Sequence, residues 1–304
     1  MTGIVTTYQL RLRRGPHERV LNEISDLFCS VERHLHRALI EAHKTADAEI
    51  AAHGGLAAFK RLRDENGKEL MHPLQRIKNE IKAAFLLRFG ITSRQYNSIL
   101  RGLEARHDSL RELLKDRIEA KERALKKLEA KIAKRAKEIA SFRKTAREAD
   151  DRVKAGKALT KAQAEKLAKR EKYEKKLFVQ HNQKRRAQRL RDTLAQMYAE
   201  KARDIPPVVF GTKKLLRERA KVHNNDTTYL AAWRKKWNLA RSNGFLIMGS
   251  KDEVSGCQTC RGEVNEYGAL TLNLRLPNCL ATREQKYLEL KELSLPDFGL
   301  YPSS

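Results

Sequence analysis

Four sets of residues have the types and spacing to do chemistry. The first is the run Gln180-His181-Asn182-Gln183-Lys184-Arg185-Arg186, continued by Arg189 and Arg191. On a helix, Lys184, Gln188 and Arg191 share one face, and Arg185, Arg189 and Asp192 share the next. Acid is almost absent from this run. A row of phosphate contacts therefore fits better than a solvated face, where Glu and Lys would alternate. The second set is Trp233 and Trp237, four residues apart, with Arg234, Lys235, Lys236 and Arg241 between and after them. On a helix the two rings share a face. They suit an anchor onto a small sheet first and a stacking platform for unpaired bases second. The flanking cations suit phosphate in either case.

The third set is Gly211-Thr212-Lys213-Lys214, which follows a strand-like run and opens a helix. Free backbone amides at a helix start attract phosphate, although the upstream glycine of a P-loop is missing here. An ordinary capped helix start is the alternative. The fourth set is Cys257-Gln258-Thr259-Cys260, with the spacing of half a zinc site. Structural zinc takes four ligands, typically two such pairs. Only Cys279 is nearby, and no His follows His223, so a turn with buried thiols is the favoured reading. Cys257 and Cys260 remain weak metal candidates, and no cofactor is expected. Asp252, Glu253 and Asp297 are the carboxylates a two-metal nuclease would use. They fall in or beside expected turns, and nothing acidic is spaced to complete the set, so no catalytic residue is assigned.

The elements that must position these groups are mostly helical. A helix is expected from about Pro16 to Ala52, because Val20, Ile24, Leu27, Val31, Leu35, Ala38 and Ile40 recur at helical spacing. Gly54-Gly55 ends it. A short helix near Leu56–Leu62 precedes a turn at Asn66-Gly67. Pro73 opens another helix through Phe89, closed by Gly90, and Thr92 or Ser93 caps the next. Leu114, Ile118, Lys121, Leu125, Leu128, Ile132, Arg135, Ile139 and Phe142 alternate by three and four, a heptad seam with two cationic interruptions. A turn is expected within Ala149–Thr160, and Thr160 caps a second long helix through about Tyr198. An antiparallel hairpin is the economical arrangement.

Pro206-Pro207 marks a boundary beyond which the texture changes. Val208–Phe210, Phe245–Met248, Leu270–Leu276 and Tyr287–Leu290 look like strands, and Thr212–Arg219 and Thr228–Arg241 like helices. Thr7–Arg13 alternates with period two and is expected in the same small sheet. The fold class that follows is α+β, predominantly α: a helical lobe with a long antiparallel hairpin, inserted into a small antiparallel β-barrel. Residues 1–15 supply the first strand of the barrel. Residues 16–204 form the lobe, with the hairpin at about 108–200, and residues 205–304 complete the barrel.

The chain holds 64 Lys and Arg against 38 Asp and Glu, a formal net charge of +26. So large an imbalance repels itself unless an anionic partner compensates it. Residues 109–203 alone contribute about +17. No apolar run approaches the ~18 residues of a membrane span, and no secretory signal follows Met1, so nucleic acid is expected rather than a membrane, in a cytoplasmic protein. Four unevenly placed cysteines make no disulfide framework.

The order of motifs resembles the N-terminal half of the insertion-sequence-encoded TnpB (OrfB) proteins. The stretches are Phe89–Ser98 (FGITSRQYNS), Gln180–Arg186 (QHNQKRR), Val209–Leu215 (VFGTKKL), Trp233–Ala240, and Met248-Gly249-Ser250-Lys251-Asp252-Glu253 through Cys260. Cys257 departs from the pattern, standing where a polar residue such as Asn is expected. The resemblance implies an RNA-guided DNA-binding protein related to the type V CRISPR effectors. It implies a wedge-type β-barrel for the guide RNA scaffold and a helical recognition lobe for the guide–target duplex. Lys251, inside the last stretch, joins the expected nucleic-acid contacts. In that family a RuvC-type nuclease domain follows, with three metal-binding carboxylates. Its beginning is expected at about Ser304. The chain is therefore expected to bind guide RNA and DNA without cutting, as a truncated transposon-encoded protein. A non-functional remnant or one half of a split nuclease is one alternative. A structural RNA-binding or partner-binding helical hairpin is another.

Overall fold

The computed structural model describes residue 12 and residues 15–63, 65–221, 227–242, 244–249, 257–266 and 269–294. They form two compact units. One comprises residues 1–107 with 207–304, and the other residues 108–206.

In the first unit, α1 (His17–Ala52) buries Ile24, Phe28, Val31, Leu35, Leu39, Ala42 and Ala46 along one stripe. This is the three-to-four spacing a half-buried helix requires. Its end is a Schellman arrangement: the Gly54 amide donates to the Ala51 carbonyl and the Gly55 amide to the Ile50 carbonyl, with Gly54 at φ 81°. After the short α2 (Leu56–Phe59), α3 (Pro73–Phe89) packs along α1, opened by Pro73 and closed by Gly90 at φ 58°. A side chain on Gly90 would meet Cys279, whose amide donates to the Gly90 carbonyl. Thr92 caps α4 (Ser93–Lys154) through a reciprocal pair: the Gln95 amide donates to Thr92 Oγ1, and the Thr92 amide to Gln95 Oε1. The side-chain amide of Gln95, 1% exposed, also donates to the Arg275 carbonyl. That bond pins the start of α4 beside the sheet.

The sheet is three-stranded, antiparallel and ordered β1-β2-β3, with β1 Cys260–Val264, β2 Ala269–Arg275 and β3 Tyr287–Ser294. Cys260 pairs with Leu274, which pairs with Leu288. A bulge lies between Leu270 and Leu272. Leu274, Leu276, Leu288, Leu290 and Leu293 are buried.

The expected barrel is not what these strands form. The sheet is open, with β1 and β3 as its edges. Thr7–Arg13 lies, apart from Leu12, outside the described residues. Val208–Phe210 and Phe245–Met248, expected as strands, are not strands. Side chains from the helices engage the second of them instead: Met248 donates to and accepts from Ser98 Oγ, and Phe245 lies 5.5 Å from Phe28. Leu246 and Met248 are exposed and Phe245 and Ile247 half-buried, and short apolar runs of this kind do not reveal by composition alone what packs on them. β1, by contrast, was not expected; only the Cys257–Cys260 run, which overlaps its first residue, was read, as a turn. The unit boundaries also differ from the expected 15/16 and 204/205, because α1 packs on α3, and α1 and the start of α4 bond to residues 241–248.

The second unit is the antiparallel hairpin. Its arms are α4 from residue 108 onward and α6 (Arg170–Lys201), joined through Gly156 at φ 67° and α5 (Lys161–Leu167). Thr160 and Gln163 form the capping box of α5, but the expected single helix from Thr160 to Tyr198 is broken at Ala168-Lys169. Ile118, Leu194 and Met197 make the buried cluster, with Leu114 and Leu125 packed on it. Farther along, Arg191 meets Glu129 at 2.6 Å, and Tyr173 stacks on Phe142 at 4.1 Å. Lys166 Nζ bonds the Ser141 and Thr145 hydroxyls. The heptad seam is seated as its spacing requires except at Lys121, which is exposed. The other interruption, Arg135, is half-buried, and its Nη1 is buried without a hydrogen-bond partner.

Candidate nucleic-acid interface

In the hairpin, α6 turns its polar run about a buried stripe. Gln180, Ala187, Leu194 and Met197 are buried, and the Gln180 amide donates to the Ile132 carbonyl at 3.5 Å. That stripe sets the rotation of the helix. Lys184, Arg185, Arg186 and Arg189 are consequently exposed, and among the described residues none of them has a carboxylate partner. Arg191 differs: it spends its guanidinium on Glu129 across the hairpin. Asp192 accepts from Gln188, so the one acid of the run is turned along its own helix. The bridge from Arg191 is half-exposed and contributes at most about 1 kcal/mol.

Beside this run is a groove of about 920 Å³ lined by Ile139, Arg143, Arg147, Phe178, His181 and Lys184, among others. Phe178 is 68% exposed. Sequence reading missed it. Phe178 stands just before the basic run, and Arg143 and Arg147 just after the heptad seam, so each fell at the edge of a different pattern.

In the first unit the two tryptophans stack on each other, centroids 5.3 Å apart and planes 16° from parallel. Trp233 Nε1 donates to the Leu215 carbonyl at 2.8 Å, joining α8 (Thr227–Ala240) to α7 (Lys213–Lys221). Arg219 lies over Trp233 at 6.0 Å, and Arg241 over Trp237 at 5.6 Å. The rings therefore anchor helix to helix rather than helix to sheet. Gly211, at φ 114°, is explained by the same packing: an added Cβ would stand 2.9 Å from Trp237 Cζ3. Thr212 Oγ1 accepts the Leu215 amide, so the α7 start is an ordinary capped start. Lys213, Lys214, Arg234, Lys235 and Lys236 are exposed.

Gly211→Ala is expected to destabilise this unit by about 1–3 kcal/mol, through left-handed strain and overpacking together. The chain has two tryptophans, so urea unfolding followed by their fluorescence reads this contact directly. An unchanged midpoint would contradict the packing argument.

No protein-family model, curated protein or solved structure matches this chain. Cys257 and Cys260 are half-buried, and burial, with Cys257 as a neighbour, pushes the Cys260 thiol up. Among the described residues no group of three His, Cys, Asp or Glu is placed to hold a metal ion. Lys251, Asp252, Glu253 and Asp297 lie outside the described residues. No helix among those described is long and apolar enough to cross a membrane.

The helix α1 supplies functional candidates that the sequence reading passed over. Arg33 Nη1 donates to the Arg241 carbonyl at 3.0 Å. Burial and the charges of Arg33 and Arg37 together pull Arg241 below its ordinary range. The signal was available, since Arg33 and Arg37 stand four apart on one helix face. The apolar stripe of the same helix drew the reading instead.

Proposed function

We propose that these 304 residues bind nucleic acid, a structured guide RNA first and DNA matched to it second, and that they do so without cutting it. The single observation that supports the reading best is the row Lys184, Arg185, Arg186 and Arg189: four exposed cations on one helix with no acid set against them. Phosphate neutralisation is what such a row can do, because each cation that meets a phosphate releases a condensed counterion. The TnpB-like order of motifs adds the guide-RNA identity to this chemistry. Lys213, Lys214, Arg234, Lys235, Lys236 and Lys251 add backbone contacts.

The expectation of no cleavage rests on the carboxylates. Two-metal phosphodiester cleavage needs acids that space and neutralise the ions. Asp252 and Glu253 are adjacent, so on an extended strand their side chains point to opposite faces. The test titrates the protein with a labelled structured RNA and with duplex DNA, in Mg²⁺ or Mn²⁺, and follows both the bound fraction and the products. Binding with intact nucleic acid is expected. Specific cutting that disappears in Asp252→Ala or Asp297→Ala would overturn the no-cleavage reading, and absence of binding would overturn the function.

A second reading, a hairpin that docks a protein partner and has no guide function, is favoured by one observation, the exposed Phe178 in its groove. Phe178→Ala separates the two: unchanged RNA affinity together with loss of a protein that co-purifies with the unaltered chain would favour the docking reading, and a drop in RNA affinity would contradict it.

A further inference from the structure

The first unit brings three arginines together with little acid to balance them. Arg33 and Arg37 stand one turn apart on the same face of α1, and Arg241 follows the last turn of α8. The Arg33 guanidinium reaches the Arg241 carbonyl at 3.0 Å. Trp237 lies 5.6 Å from the Arg241 guanidinium and orients it. The Arg241 Nε is buried and has no hydrogen-bond partner among the described residues. Arg37 is exposed and meets no carboxylate there. Glu32 feels Arg33, but its carboxylate is taken by Arg106, which donates to it and lies 3.1 Å away. The charges that bear on Arg241 are both cations.

Holding like charges together costs free energy, and an unsatisfied buried N–H adds to the cost. Both costs are offset by one bound anion that accepts several N–H bonds at once. Guanidinium forks suit the tetrahedral oxygens of phosphate, and stacking on an indole fixes the fork in advance. We propose that Arg33, Arg37 and Arg241 form a phosphate site that grips the sugar–phosphate backbone of a bound RNA or DNA strand. The proposal rests on the nucleic-acid-binding reading above, and it adds a contact on the unit that does not contain the α6 row.

The experiment measures binding of the full chain to a short labelled RNA hairpin and, separately, to a labelled DNA duplex, from about 50 to 200 mM salt. Three proteins are compared: the unaltered chain, Arg33→Gln/Arg37→Gln, and Arg19→Gln/Lys44→Gln. The last removes equal charge from the same helix, at cations that already have carboxylate partners. The Arg33/Arg37 variant is expected to flatten the log affinity against log salt slope by about two units, and the control by much less. Flattening on RNA alone, on DNA alone or on both supports the site and says which strand it takes. If the unaltered chain binds but the two variants have the same slope, the site is overturned while the function stands. If the unaltered chain binds neither probe, both fall. Should circular dichroism show the double variant unfolded, Arg37→Gln alone decides. Its side chain has no partner to lose, and a loss of about one unit is expected. No loss overturns the site.

Discussion

Replacing Lys184, Arg185, Arg186 and Arg189 together by Gln is expected to weaken binding to structured RNA by about two to three orders of magnitude near 0.15 M salt. The size follows from counterion release: each phosphate neutralised adds about 0.7–0.9 to the slope of log affinity on log salt. Four lost contacts remove about three units, and three units at that salt concentration amount to a few hundred-fold. The fold is not at risk, because all four side chains are exposed and free of carboxylate partners, while the buried Gln180, Ala187 and Leu194 that seat the helix are untouched. Arg191→Gln is expected to change the slope little, since that guanidinium already faces Glu129 at 2.6 Å. A quadruple variant with an unaltered slope would return the row to a solvated helix face.

The second large effect is on the hairpin itself. Leu194→Ala is expected to destabilise it by about 2–5 kcal/mol, the range for deleting a buried leucine side chain and leaving a cavity. Leu194 belongs to the cluster with Ile118 and Met197, against which the half-buried Leu114 and Leu125 pack. Few other apolar groups can close over the loss. Farther along the hairpin the ion pairs Arg191–Glu129 and Lys176–Glu138 are partly exposed and each contributes little, beside the Tyr173–Phe142 stack. Urea unfolding followed by helical circular dichroism measures the effect. A shift equivalent to under about 1 kcal/mol would mean that the polar ties, not this cluster, hold the arms together.

Much of the helical architecture was legible because period and capping agree. The α1 stripe, the Pro73 start, the Gly90 stop and the Thr92 cap each follow from one local rule, and tertiary packing did not override them. The heptad seam was readable down to its exceptions, with Lys121 reaching water and Arg135 staying half-buried. What was not legible depends on partners distant in sequence. Phe245–Met248 has strand-like composition, yet its ties run to Phe28 and Ser98 on helices. Cys260–Val264 has no alternating apolar pattern because it is an exposed edge, so nothing marked it as a strand. The barrel was inferred from strand texture and resemblance, and the described strands close no ring.

The site shows the same division. Exposed cations on α6 could be read from helical phase, but the removal of Arg191 by Glu129 could not, because that acid lies on the other arm. The tryptophan pair was expected first as an anchor. The anchor is real, but it ties α8 to α7 and Gly211. Arg33 and Arg37 gain meaning only when Arg241, more than 200 residues away, is set against them.

The proposed native partner of this chain is a structured RNA. The most direct measurement is to crosslink and purify it from its own host under denaturing washes and sequence the attached RNA. Strong enrichment of one RNA species is expected, with contacts mapping to the Lys184–Arg189 segment, and loss of that enrichment in the quadruple Gln variant. Recovery of bulk ribosomal RNA and tRNA alone, equally with both proteins, would contradict it.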